Sequence, residues 1–203
     1  MEVTTNYSKI EKMFHDNGGY ITRSDINTAN ISSWFLYDFV KKNDLVKVAP
    51  GYYVDQSYFV DEYYLLQKRY PKYVFSGLSA LYLHHLTDKI PQEIDVTSPQ
   101  GYNPSRNKIN GLSVRKISND RIYRLGIKEV KTSFGNIVHV YDEERTICDM
   151  IKYRDKFDSE TFIKAIKLYV HKINHQIKLF RYAKILNIEK KVFEILEVIE
   201  NDD

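Results

Sequence analysis

The sequence predicts an α+β chain: an N-terminal winged helix-turn-helix, followed by a mixed α/β C-terminal domain that ends in an α-helical bundle. Three observations carry that prediction. Residues 45–54, LVKVAPGYYV, are two β-branched and aromatic runs about an Ala-Pro-Gly turn, the pattern of a tight hairpin. A two-stranded hairpin alone is marginal in water, so it must lean on the helical periodicity that precedes it. Beyond residue 73, strand-like runs give way to amphipathic helices.

In order along the chain, residues 5–17 place Tyr7, Ile10, Met13 and Phe14 on one side at helical spacing, and Gly18 and Gly19 stop that helix. Tyr20 and Ile21 read as a short extended link. TRSDINTAN, residues 22–30, is a brief helix capped by Thr22 or Ser24, with Ile26 and Ala29 inward. After a turn at Asn30 and Ile31, Ser32 or Ser33 caps a third helix, SWFLYDFVKKN. Leu36, Phe39 and Val40 share one face of it; Ser33, Tyr37 and Lys41 fall on another, one turn apart.

Helix, short helix, turn, longer helix, hairpin is the order of a winged module. Leu45, Val46, Val48 and Tyr53 are expected to supply apolar area to its small core. In such a module the third helix enters the DNA major groove, with its N-terminal residues nearest the base edges. Ser33 and Tyr37 are therefore candidates for base or sugar contacts, and Lys41 and Lys42 for phosphates. Arg23 and Lys47 would position the module. A winged helix also serves as a protein-interaction module without DNA. Asp38 near this face, and a net charge of −1 over residues 1–56 (six Lys and Arg against seven Asp and Glu), keep that reading open. Trp34, the only tryptophan, is either an exposed contact or a lid on the core, the core being the commoner fate of that side chain.

Residues 57–73, SYFVDEYYLLQKRYPKY, read as a linking helix ended near Pro71, which makes 1–56 and 74–203 the two domains. In the second, VFSGLSALYLHHL is a short apolar helix, and EIDVTS and LSVRKIS are strands. RIYRLGIKEVKT and NIVHVYD add one or two more strands. DEERTICDMIKY opens a helix with three acidic residues at its positive end. The stripes Phe162-Ile163-Ile166-Tyr169, Ile177-Phe180-Leu186 and Ile188-Val192-Ile195-Leu196-Ile199 mark the closing helices.

The formal charge of the 203 residues is only +3, but residues 102–131 hold eight Lys and Arg against two Asp and Glu, a local +6. Such a field attracts a polyanion even when net charge is small; a solvated loop with its cations pointing several ways is the equal alternative. If they act together, Arg106, Lys108, Arg115, Lys116, Arg121 and Arg124 extend a DNA footprint beyond the winged helix. Strand alternation pairs Arg115 with Ile117 and Lys116 with Val114, so at most part of the set faces one partner.

The single cysteine, Cys148, excludes an internal disulfide or a Cys-based zinc finger and reads as a small buried hydrophobe. No apolar run approaches the roughly 18 residues that span a bilayer, and MEVTTNYSKIEK has no basic start or apolar stretch. The expectation is a cytoplasmic chain without membrane, metal or cofactor. Ser76-Gly77 ahead of Glu93-Ile94-Asp95 has the loose outline of a nucleotidyltransferase, in which two carboxylates on one strand face hold a divalent metal. The turn lacks a second glycine, the first carboxylate is Glu, and no third stands out. A scaffold of that outline without activity is expected, a metal-dependent enzyme using Glu93 and Asp95 being the alternative. His84 and His85, beside Asp88, project about 100° apart on a helix and do not chelate together.

Gly51-Tyr52-Tyr53-Val54, Ser76-Gly77-Leu78-Ser79-Ala80-Leu81 and Asp142-Glu143-Glu144-Arg145-Thr146, in this order, resemble the AbiE-type abortive-infection antitoxins called AbiEi. The likeness runs over essentially the whole chain. It implies a bacterial phage-defence protein that represses its own operon by binding inverted or direct repeats in the double-stranded promoter DNA. It also implies an antitoxin to a co-encoded nucleotidyltransferase-like toxin, of type IV, acting without a stable complex. The N-terminal domain would bind DNA and the C-terminal domain would carry the antitoxin activity, with no catalytic residues.

Overall fold

A computed structural model describes residues 2–55, 57, 61–103, 111–172 and 176–200, by backbone alone at 2–4, 49 and 200. Residues 1–62 and 63–203 form separate units, each with its own core, in a mixed α+β chain.

The first unit runs α1 (Glu2–Asp16), β1 (Tyr20–Thr22), α2 (Arg23–Thr28), α3 (Ser33–Lys42), β2 (Val46–Ala49), β3 (Tyr52–Val54). Thr22 starts α2 through a capping box. The Asp25 N–H donates to Thr22 Oγ1 at 3.0 Å, and the Thr22 N–H donates to Asp25 Oδ2 at 2.9 Å. Of the two serines, Ser32 is the cap of α3 and Ser33 its first residue. Ile10, Ile21, Ile26 and Leu36 meet in the core with Phe14, Phe39, Leu45 and Tyr53. Tyr20 and Ile21 are more than a link: β1 pairs antiparallel with β3, giving a three-stranded sheet of order β1-β3-β2. The hairpin thus gains a third strand, which answers its marginality. β2 is left as an edge strand with a bulge between Lys47 and Ala49. Val46 and Val48 are consequently exposed instead of joining the core, unlike Leu45 and Tyr53.

The second unit starts within α4 (Glu62–Arg69), shorter than the helix expected over 57–73. β4 (Val74–Phe75), α5 (Gly77–Leu83), β5 (Ile94–Pro99), β6 (Leu112–Ile117), α6 (Asp120–Arg124), β7 (Ile127–Lys131) and β8 (Ile137–Tyr141) follow. Asn119 turns RIYR into helix instead of strand, its Oδ1 accepting the Ile122 N–H at 3.2 Å. The sheet order is β6-β5-β4-β8-β7, with β5 and β6 parallel, β4 and β8 parallel, and the other two pairs antiparallel. Phe75, Val96, Val138 and Val140 form one core with Tyr70 and Tyr73.

α7 (Glu143–Lys152), a 3₁₀ turn (Arg154–Lys156), α8 (Ser159–Lys172), α9 (Ile177–Ile185) and α10 (Glu189–Glu200) complete the unit. Their buried stripes, Ile147, Met150, Ile166, Tyr169, Leu179 and Val192 among them, make one helical core with Leu81 and Leu86 of the α5 region. Cys148 is buried there, and burial pushes its thiol up to about 12. Ile163 and Ile177, placed on the inward stripes by spacing, are exposed.

The acidic start of α7 is a docking point. Asp142 caps the helix, its Oδ1 accepting the Arg145 N–H at 2.9 Å. Asp142 Oδ2 accepts the Tyr182 hydroxyl and lies by Lys178, both at 3.0 Å, which ties α9 to α7. Gly126, at φ +80°, receives the Asp142 N–H on its carbonyl at 2.7 Å. A Cβ there would sit 2.8 Å from Arg145 Cβ and 2.9 Å from Asp142 Oδ1. Gly126→Ala therefore combines strain with overlap and is expected to cost about 1–3 kcal/mol in urea unfolding.

Glu143, in the same turn, is largely buried. Burial raises its carboxyl, but His84, the helix-terminal backbone and Lys128 (3.2 Å away) outweigh that and hold it down to about 2. A depressed carboxyl stabilises the fold above its ordinary value, and that contribution is lost as pH falls through the folded value. Unfolding free energy should therefore drop between pH 4.5 and about 2, and Glu143→Gln should flatten that part of the profile.

Candidate nucleic-acid interface

The outer face of α3 follows from its inner one. Leu36 and Phe39 are buried, which turns Ser33, Trp34, Tyr37 and Lys41 outward within about a third of the helix circumference. Trp34 is 61% exposed, so the core, the commoner fate, is not the one it takes. The missed signal was positional: the core stripe is completed by Leu36 and Phe39, and helical spacing puts Trp34 across the helix from it. Tyr37, 49% exposed, stands edge-to-face on Tyr53 with ring centroids 6.4 Å apart. Burial, then Tyr37, push the Tyr53 hydroxyl up, while Arg23 pulls it down.

The same tyrosine gathers the other candidates of the first unit. Lys47 lies opposite Tyr53 in the β2–β3 ladder, and the Arg23 N–H donates to the Gly51 carbonyl at 2.7 Å. Gly51, at φ +77°, lets the hairpin turn approach Arg23 Cβ closely; an added Cβ would lie 3.2 Å from it. Arg23, Lys41 and Lys47 are all exposed. Asp38 is neutralised at the edge of this face: Lys42 Nζ lies 2.8 Å from its carboxylate, which also accepts the Tyr7 hydroxyl. Lys42 is therefore committed to Asp38 and to the Tyr7 ring, 4.8 Å away, more than Lys41 is.

In the second unit the basic stretch is not brought to one face. Arg106 and Lys108 lie outside the described residues. Arg115 is a correction: its guanidinium pairs with the buried Asp149 carboxylate, donates to Thr97 Oγ1 at 3.3 Å and stacks on the Tyr153 ring at 4.7 Å. Its charge is spent inside the fold. Lys116, on the opposite strand face, is exposed and donates to Asn103. Arg121 and Arg124 are exposed on α6, with Arg124 held 2.7 Å from Asp120.

Glu93 and Asp95 do not form a carboxylate pair on a strand face. Glu93 precedes β5 and is exposed, whereas Asp95 Oδ2 accepts the Leu78 N–H at 3.0 Å. Gly77, at φ +54°, is required beside it, since a Cβ would lie 2.7 Å from that oxygen. Asp95 thus closes the start of α5, in the way a capping carboxylate does. It borders a cavity of about 300 Å³ with Ser76, Ser113, Arg115 and Asp149. Among the described residues no group of three His, Cys, Asp or Glu could hold a metal ion, and no helix is long and apolar enough to cross a membrane. His84, buried, has Nε2 2.7 Å from the Tyr141 carbonyl and so acts as a packing residue.

Residues 8–54 match the model of a family described as "Transcriptional regulator, AbiEi antitoxin". This segment is similar to AbiEi regulators. It spans α3 and the hairpin, while the AbiEi-like motifs at Ser76–Leu81 and Asp142–Thr146 lie outside the matched residues. No curated protein matches the chain. The crystal structure of the RV2827C protein from Mycobacterium tuberculosis is similar at a TM-score of 0.58 and 13% identity, over 89% of this chain and 71% of that one. The similarity shows a shared fold.

If Asp95 is a cap, Asp95→Ala costs about 1–2 kcal/mol in urea unfolding, the ordinary loss for a cap.

Proposed function

We propose that the chain is an autoregulatory transcriptional repressor and antitoxin. Its first unit acts as a winged helix-turn-helix on repeats in its own promoter. The observation that carries the reading is the exposed face of α3, with Ser33, Trp34, Tyr37 and Lys41 outward and the β2–β3 hairpin joined to it through Tyr53. In this reading α3 occupies the major groove, Ser33 and Tyr37 meet bases or sugars, and Lys41 with Lys42 meets phosphate. The hairpin is the wing, its Lys47 beside the backbone, and Arg23 positions the turn. The AbiEi-type match over 8–54 supports the regulator role. AbiEi likeness also supports the finer roles: a type IV phage-defence antitoxin, its C-terminal domain of residues 74–203 countering a co-encoded nucleotidyltransferase-like toxin without a stable complex, and performing no catalysis itself.

Phosphate neutralisation supplies most non-specific affinity, and the first 56 residues carry a net charge of −1. The first unit alone is accordingly a weak binder. Lys116, Arg121 and Arg124 are the candidates of the basic stretch that are exposed among the described residues. In this proposal they add phosphate contacts; Arg115 does not.

Titration of the full chain against its own upstream duplex and an unrelated one, at two salt concentrations, tests the reading. Selective binding that weakens with salt is expected. Lys41→Ala and Lys47→Ala should each weaken binding to both duplexes and shallow the slope of log K against log salt by about one. Tyr37→Ala should narrow the gap between the two duplexes. Equal, or absent, binding to the two duplexes would contradict the proposal.

A further inference from the structure

We infer that Trp34 is a base-reading side chain and that it reads the C5-methyl group of thymine. The inference rests on the DNA-binding reading of α3 and deepens it.

Trp34 is the second residue of α3, in the turn that a groove-bound helix presents first. It is 61% exposed, although an indole is among the largest apolar side chains a fold can bury. Its ring is nevertheless oriented. It stands edge-to-face on Phe35, with centroids 5.1 Å apart at 81°, and Phe35 stands edge-to-face on Tyr7, 5.4 Å apart at 84°. A chain of rings braces the indole without covering it. Tyr37, three residues on, is fixed by Tyr53, and Lys41 is seven residues on. Trp34, Tyr37 and Lys41 thus make one outward stripe, aromatic at the N-terminal end and cationic at the C-terminal end.

The chemistry of an indole restricts what such a stripe can read. It has one N–H donor and no acceptor, so it cannot receive the amino groups of adenine or cytosine. Its remaining surface is carbon. In the major groove the one methyl group of any base edge is that of thymine, where cytosine presents only a C5–H; the polar features are nitrogen and oxygen groups. A braced, exposed indole at the leading turn therefore matches thymine, and an operator read by this helix carries thymine under Trp34.

The test uses the full chain and a duplex of its own upstream region in which the protected segment has been located by footprinting. A second duplex carries deoxyuridine at every thymine of that segment, which removes the methyl groups and leaves Watson–Crick pairing intact. The wild-type chain should bind the uracil duplex about fourfold more weakly per contacted methyl, the worth of burying one such carbon. Trp34→Ala should bind the thymine duplex with a similar loss and no longer distinguish the two, while Trp34→Phe keeps part of the difference. Because Trp34 is exposed, the unfolding midpoint of Trp34→Ala should match wild type. Equal wild-type affinity for both duplexes, or an undiminished uracil penalty in Trp34→Ala, overturns the inference while leaving the repressor reading standing. Absence of binding to the thymine duplex removes both.

Discussion

Arg145 is 1% exposed, so its guanidinium must find its partners inside the protein. An unpaired buried charge is unsustainable in a low-dielectric interior, and breaking a buried pair costs about 3–5 kcal/mol. The chain meets this demand from three directions. Nη1 donates to the carbonyls of Ile122 and Leu125 at 2.6 and 2.9 Å, Nε lies 3.2 Å from Asp149, and the guanidinium covers the Tyr141 ring at 4.4 Å. Asp149 in turn holds Arg115 of β6. One arginine thus fixes the end of α6, the start of α7 and the end of β8, and through Asp149 it reaches the far side of the sheet. The tight turn at Gly126 and the Tyr141 hydroxyl on the Tyr123 carbonyl at 2.8 Å follow from the same convergence.

This constraint has a functional consequence. Two of the strongest cations of the second unit are consumed in holding its architecture, so basic composition overstates what the unit can offer a polyanion. The first unit is built differently. Its core is apolar, from Ile10 to Tyr53, and holds no charged side chain. The Arg23 N–H on the Gly51 carbonyl and the Tyr37 ring on the Tyr53 ring join the hairpin to α2 and α3.

Much of the first unit was legible because its signals are local. The inward stripe of α3, the capping serine, the Pro50-Gly51 turn and the outward placement of Ser33, Tyr37 and Lys41 all follow from spacing within one element. What failed depended on neighbours distant in sequence. Val46 and Val48 have core-like identity, but β2 is an edge strand because β1 takes the other side of β3. Arg115 reads as a surface cation until Asp149, 34 residues later, is placed beside it. Asp95 looks like half of a metal site until its oxygen is seen to accept the Leu78 N–H. In each case residue type was read correctly and the partner was invisible.

Contact between the aromatic and basic face of α3 and DNA can be read by photocrosslinking. The full chain bound to its upstream duplex carrying 5-bromodeoxyuridine would be irradiated and digested with trypsin, and the crosslinked peptide sequenced. The tryptic peptide Ser24–Lys41, which holds Trp34 and Tyr37, is expected to carry the nucleotide. Crosslinks confined to peptides from residues 63–203, in a sample that binds the duplex selectively, would contradict it.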